Sequence, residues 1–219
     1  MSAQPSFCLL GYGSVFKAIA GDALGHALPG DWLARQANSV AALSTSSVQL
    51  LDGLDPAFTR LFVAVDQNAL NYARLELYGA ARLRGFKLAT LVHAHARVAP
   101  DARLDDNVWI GAGVLVGSGA HIGSDVLVHP GVRIDADARI GAHSWIGPGA
   151  CVGADTELGI HCVIGADVRL QRGLHLGRHC LIDTGNPWNQ SMNSGSFIAA
   201  QFATPARIVG AGYSFEKRR

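Results

Sequence analysis

Charge is scarce in this chain. Only 16 % of its 219 residues are Asp, Glu, Lys or Arg, and 18 basic against 17 acidic residues leave a formal charge of +1. A general nucleic-acid binder needs a basic excess to displace counterions from phosphates, so that class is set aside. Long apolar runs are missing too: no stretch reaches the roughly 18 residues of a membrane-spanning helix. The start, Met1-Ser2-Ala3-Gln4-Pro5, has neither the basic segment nor the apolar core of a signal peptide, and the chain is expected in the cytoplasm. Cys8, Cys151, Cys162 and Cys180 form no Cys-x-x-Cys pair, which removes the usual spacing for structural zinc or a redox dithiol. They read as small buried thiols in a reducing compartment, and no metal is expected. What the chain has in quantity is apolar residues (49 %) and glycine (26 residues). That composition argues against disorder and for tight turns in a repeat protein.

The repeat is explicit. From Val92 an aliphatic residue returns at every sixth position: Val92, Val98, Leu104, Ile110, Val116, Ile122, Val128, Ile134, Ile140, Ile146, Val152, Leu158, Ile164, Leu170, Leu176 and Ile182. Taking this position as i, position i+4 is small or aliphatic throughout, and i+1 is often Gly, as at Gly111, Gly147, Gly153 and Gly165. A six-residue period fits neither an α-helix nor a hairpin sheet. It fits a parallel β-helix of hexapeptides, in which each hexad is one short strand and one turn, and three hexads close a triangular coil. Side chains at i and i+4 point inward, and coils stack at roughly 4.8 Å. Position i+3 carries only Gly, Asp, Asn or His, the residues that best tolerate positive φ, so it is read as a left-handed turn position. His143, His161 and His179 share that position at 18-residue spacing and should stack on one prism edge. A metal ladder is conceivable there, but a plain turn role accounts for them better.

Position i+5 points outward and sorts into three faces. One carries Arg97, Leu115, Arg133, Cys151 and Arg169; a second Arg103, His121, Arg139, Glu157 and His175; the third Trp109, Leu127, Trp145, Val163 and Leu181. Only the third is wholly apolar, and a solvated face would not line up two Trp with three aliphatics. Its expected cover is a sister subunit around a threefold axis, giving a homotrimer; the alternative is the chain's own N- or C-terminal segment.

Ahead of the repeat, Phe7-Cys8-Leu9-Leu10 reads as a buried strand entering the turn Gly11-Tyr12-Gly13-Ser14, followed by a helix start. A helix N-terminus at such a turn can hold a phosphate, and a merely tight turn explains the glycines equally well. Leu61–Val65 reads as a second buried strand. Asn68–Arg84 reads as a helix with a Leu70/Ala73/Leu77 stripe ended by Gly85, and Leu88–Leu91 as a strand leading into the repeat. The fold class is therefore mainly β: a left-handed parallel β-helix (residues 89–184) after a small Rossmann-like α/β domain (1–88), with an irregular C-terminal segment (185–219).

This order of segments resembles the bacterial sugar acyltransferases of the sialic acid O-acetyltransferase type, including N-acetyltransferases that modify nucleotide-linked amino sugars. Gly11-Tyr12-Gly13 is similar to the family's opening turn. Ala64-Val65-Asp66-Gln67-Asn68 is similar to its Ala-Ile-Gly-Asp-Asn segment, Gly85–His93 to the passage into the first coil, and Thr204–Val209 to the closing Pro-Ala-Lys segment. The resemblance implies a trimer and acetyl-CoA as donor in a groove between adjacent β-helices, with Gly147, Gly153, Gly165 and Arg207 as candidate coenzyme contacts. It also implies a nucleotide sugar held by the N-terminal domain, with Gly11, Tyr12, Gly13, Ser14 and Asn68 as candidate contacts. The family's acid/base is a His in an Ile-Glu-His-Asp segment, helped by a second His. Here Ile134-Asp135-Ala136-Asp137 takes the place of that segment, so Ala136 stands at the His and Trp145 at the second. No acidic pair in residues 25–60 matches the family's uridine contact.

A hydroxyl acceptor needs a general base, whereas an amine with a pKa of about 8 is already partly neutral. The missing His therefore favours N-acylation, with the coil supplying position and backbone N–H groups. Substitute groups are His143, the first choice, then Asp135 and Asp137 beside the vacancy, and His129 at another corner. The alternatives are a non-catalytic trimeric scaffold and an O-acetyltransferase with a relocated base.

Overall fold

The computed structural model describes residues 4–39, 49–67, 69–185 and 187–207. Asn68, most of the Ser/Thr-rich stretch and the basic tail lie outside the described residues. The N-terminal half opens with a parallel sheet of β1 (Phe7–Tyr12), β2 (Trp32–Gln36), β3 (Arg60–Val65) and β4 (Lys87–Leu88), in the order β2-β1-β3-β4. The centre of β1 and β3 is buried on both faces, so their sequences are continuous apolar runs rather than alternating ones. Helix α1 (Ser14–Gly21) covers one face with Val15, Phe16 and Ile19. On the other lies α2 (Tyr72–Leu83) with Ala73, Leu77 and Ala81. A short 3₁₀ turn, Ala69–Asn71, precedes α2, and Gly85 (φ 83°) ends it in the left-handed region.

From Leu91 to Asp183 each hexad contributes a two- or three-residue strand (β5–β20), and each strand up to Val163–Ile164 pairs in parallel with the one 18 residues on: His121 with Arg139, Leu127 with Trp145, Arg133 with Cys151. The coils form a left-handed β-helix with three sheet faces. The i and i+4 side chains make one continuous core from Val108 to Ile198. The i+3 residues have positive φ from Asn107 (54°) through His179 (58°), the two earliest, His95 and Asp101, excepted. Gly141 shows why i+1 prefers glycine: a Cβ there would lie 2.4 Å from the carbonyl carbon of Gly159 in the next coil. Gly141→Ala is expected to cost about 1–3 kcal/mol in a thermal melt, because two coils must part to admit one methyl.

The polar segment after Thr184 continues the coil. Trp188 bridges to Leu170 and Met192 to Leu176, and β21 (Ser196–Ala199) pairs in parallel with Leu181–Asp183. A last strand, β22 (Ala206–Arg207), pairs with β21 in the antiparallel sense.

The cover of the apolar face is a correction to the sequence expectation. Trp109, Leu127 and Trp145 pack in one core with Phe7, Leu9, Val15, Phe16, Ile19, Phe62 and Ala64. The chain's own α/β domain, chiefly α1 and the sheet behind it, sits where a sister subunit was expected. Val163 is buried and Leu181 half-buried further along the same face.

Candidate functional site

The prism corner bearing Asn107, Asp125, His143, His161 and His179 is the joint between the two halves. Left-handed turns push these side chains outward, and α2 receives them. Arg74 and Asp125 are both fully buried and form an ion pair, Nε to Oδ2, at 3.1 Å. Arg74 also donates to the carbonyls of Asp125 (2.9 Å), Ser144 (3.1 Å) and Val65 (3.3 Å). Asn107 donates to Asp125 Oδ1 at 2.7 Å and pairs with the β3 backbone, accepting from Val63 N–H at 2.8 Å and donating to its carbonyl at 3.1 Å. His143 Nδ1 lies 2.9 Å from Asp125 Oδ2. The three imidazoles stack at 4.9 and 5.2 Å, with the Tyr72 ring 4.6 Å from His161.

His143, the first choice for a substitute base, is thus built into this joint. Asp135 and Asp137 stand at a different prism corner, one strand earlier, so the structure does not bring the three together. The Asp137 carboxylate lies over Gly119, where a Cβ would be 2.2 Å from its Oδ1. The turn role explains Asp137.

At the start of α1, the Gly11–Ser14 turn meets a carboxylate of the chain itself. Asp66 accepts from Ser14 N–H (2.6 Å), Ser14 Oγ–H (2.9 Å) and Val15 N–H (2.9 Å). The helix N-terminus that could take a phosphate is capped from within. Gly11 is required for another reason: at φ 152° a Cβ would lie 1.8 Å from the Ala64 carbonyl oxygen on β3.

Asp22, His26 and His93 bring three possible metal-ligand atoms within 4.8 Å. The geometry does not suit a metal, because the imidazole lone pairs are spoken for. His26 Nε2 accepts from Trp109 Nε1–H at 2.9 Å, and its Nδ1 reaches the Asp22 carbonyl at 2.8 Å. His93 Nδ1 accepts from His95 N–H at 3.0 Å, and its Nε2 bonds Asp22 Oδ2 at 2.8 Å. The bond from His93, then that from Gly25 N–H, holds the Asp22 carboxyl below its usual range, and burial lowers the His26 imidazole. His129 packs against Trp145 (4.0 Å) and Trp109 (5.1 Å), and burial pushes its imidazole down to about 4.

An open surface lies on the face of Arg97, Leu115, Arg133, Cys151 and Arg169. A groove of about 410 Å³ runs there between Arg97 and Arg133, with Asp135 and Ala136 on its wall, and a second hollow continues past Gly153 to Arg169. Arg133 Nε pairs with Asp135 Oδ1 at 3.1 Å, with the side chains 56 % and 37 % exposed, a contact too solvated to hold either rigidly. Of the glycines named for coenzyme contact, Gly153 borders this groove, while Gly147 and Gly165 lie at another corner. All three are close to the next coil, with nearest approaches of 2.5–2.7 Å for an added Cβ. Arg207 is on β22, far along the chain's last sheet edge. The arginine line is visible in the i+5 column at 36-residue spacing, where the sequence reading attaches no role to it.

Residues 101–136 match the family model described as bacterial transferase hexapeptide (six repeats). No curated protein sequence matches the chain. Among solved structures, a variant of GDP-perosamine N-acetyl transferase from Caulobacter crescentus in complex with CoA and GDP-perosamine is similar at TM-score 0.75 and 24 % identity, over 93 % of this chain and 98 % of that one. The acetyltransferase domain of PglB from Neisseria gonorrhoeae in complex with acetyl coenzyme A gives TM-score 0.77 and 22 % identity, over 93 % and 100 %. WeeI from Acinetobacter baumannii gives 0.73 and 13 %, over 91 % and 100 %. At these identities the likeness is one of fold, and it spans both the α/β domain and the coils.

Proposed function

We propose that the chain is an acyl-CoA-dependent acyltransferase that N-acetylates an amino sugar carried on a nucleotide. The reading is supported by the shared two-part architecture of proteins solved with CoA or acetyl coenzyme A, one of them also with GDP-perosamine. The observation that carries it is the line Arg97, Arg133 and Arg169 along an open groove on the coil, since a coenzyme with several phosphates needs cations spaced along its length. In this reading acetyl-CoA lies in the groove, and a second copy in a homotrimer supplies the facing wall. The acceptor is held by the α/β domain around the Gly11–Ser14 turn and Asn68. Its neutral amine attacks the thioester carbonyl, and backbone N–H groups of the coil stabilise the oxyanion. The amine proton passes to water or to Asp135 beside Ala136, and the CoA thiolate leaves.

Isothermal titration with acetyl-CoA is the test. The wild type is expected to bind, and Arg133→Ala combined with Arg169→Ala to weaken binding about tenfold or more, as lost charge-assisted contacts do. Free-thiol detection with GDP-perosamine and UDP-linked amino sugars then reads transfer. No binding at millimolar acetyl-CoA leaves a non-catalytic scaffold as the better description.

A further inference from the structure

The connection between β3 and α2 is held in a shape that its own residues do not favour. Leu70 and Asn71 both lie in the left-handed region, at φ 55° and 69°, a conformation unfavourable for residues that carry a Cβ. The coil corner supplies what offsets this. His161 Nδ1 donates to the Leu70 carbonyl at 2.9 Å, and the His143 carbonyl accepts from Asn71 Nδ2 at 2.8 Å. Tyr72, the next residue, stacks on His161, and its hydroxyl hydrogen-bonds His179 Nε2 at 2.9 Å. Upstream of the kink, the same connection carries Asp66, the carboxylate that caps α1 beneath the Gly11–Ser14 turn.

We propose that the imidazole column His143–His161–His179 is a positioning element for the acceptor side of the site. It locks the Leu70–Asn71 kink and thereby fixes the Asp66 cap under the Gly11–Ser14 turn. The lock stands on the geometry alone, while its link to an acceptor rests on the function proposed above. His161 is a positioning residue and touches no reacting atom.

His161 and His179 work as neutral rings. Burial drives the His161 imidazole to about 4 and lowers that of His179. The charged and titratable groups facing it are Arg74, Asp125, Tyr72 and Tyr78, with Arg178 beside His179 and Asp106 behind Tyr78. Asp125 is already paired with Arg74, so protons added to adjacent rings meet like charge. Acid is therefore expected to loosen the kink.

The experiment is hydrogen exchange on the full chain at pH 7, comparing His161→Gly with Asp167→Gly. Both substitutions suit a left-handed position of the coil, but only the first touches the kink. Exchange of the amides of residues 69–72 is expected to rise about tenfold in His161→Gly, the effect of losing one buried hydrogen bond and a stacked ring, and to stay unchanged in Asp167→Gly. His161→Asn, which keeps the backbone conformation and an N–H donor, should recover part of the protection. For the amino sugar nucleotide that the wild type turns over, KM should rise about tenfold in His161→Gly, with kcat and acetyl-CoA affinity unchanged. Unchanged exchange in His161→Gly overturns the lock. Raised exchange with an unchanged acceptor KM overturns the link to the acceptor site. A wild type that binds no acetyl-CoA removes the acyltransferase reading and the acceptor link with it, and exchange still decides the lock.

Discussion

Arg74→Met is expected to cost about 3–5 kcal/mol of stability, a drop of roughly 10 °C or more in Tm for a chain of this size. Arg74 and Asp125 have no exposed side-chain surface. Removing the guanidinium takes one donor from each of three backbone carbonyls and leaves the Asp125 carboxylate buried with only Asn107 and His143 beside it. An uncompensated buried charge is the expensive result, more so than the loss of the pair's attraction. Asp125→Asn tests this directly, since Asn tolerates the φ of 58° at that position. In the double variant the stranded charge is gone, so its loss should be smaller than the sum of the single losses by at least about 1 kcal/mol. Chemical denaturation of the two singles and the double measures the coupling. Strict additivity, or an Arg74→Met chain that melts like the wild type, contradicts this account of the joint.

That joint also marks the limit of what the sequence shows. The hexads give the β-helix, its inward positions and the left-handed i+3 turns almost completely, because each coil repeats the same local geometry and sixteen aliphatic positions report it. The apolar column Trp109–Trp145 correctly announces a covered face. A pattern of burial says that something lies there and not what, and α1 is as greasy as a sister coil. His143 shows the same limit more sharply. Its turn role is readable from its neighbours at i+3, but its partner Asp125 and the Arg74 that neutralises Asp125 are brought together only when α2 docks on the corner. No short-range pattern links a residue of α2 to a turn some fifty positions on. The C-terminal coil was missed for a different reason. Leu176 to Met192 and Ile182 to Ile198 are 16-residue steps, so the six-residue register slips although the sheet continues.

The two halves consequently divide the proposed work. The coil's apolar face and one corner are spent on holding the α/β domain, which leaves the arginine-lined face free for a coenzyme. In the proposed function, the turn that would hold the acceptor is steadied through the Leu70–Asn71 kink that the coil's histidines hold. A substitution at the joint should therefore alter acceptor affinity before it alters coenzyme affinity.

Stability should fall steeply between pH 6.5 and pH 4, and imidazoles should be the cause. His129 and His161 titrate at about 4 in the folded chain against 6.5 when unfolded, and burial is the leading cause for both. Between those values the unfolded chain binds protons that the native chain refuses, so falling pH favours unfolding. The contribution is complete above pH 6.5 and is lost by about pH 4. For His129, wedged between two indoles, the shift corresponds to roughly 3 kcal/mol. His161 acts in the same direction, as do His26 and His179, whose imidazoles are also lowered. Three carboxylates act below this window. Asp22, Asp31 and Asp101 are held below 3.8 chiefly by hydrogen bonds from His93, Ser6 and Ser118, so their share is lost only at lower pH. Denaturant titrations at unit steps from pH 7 to pH 4 give the slope. Replacing His129 with Asn should flatten it, because the variant has one proton fewer to take up on unfolding. A wild-type profile that is level from pH 6.5 to 4.5 would mean that these rings titrate as they do in water, and that the packing of the coil against α1 and α2 is looser than the stacked geometry requires.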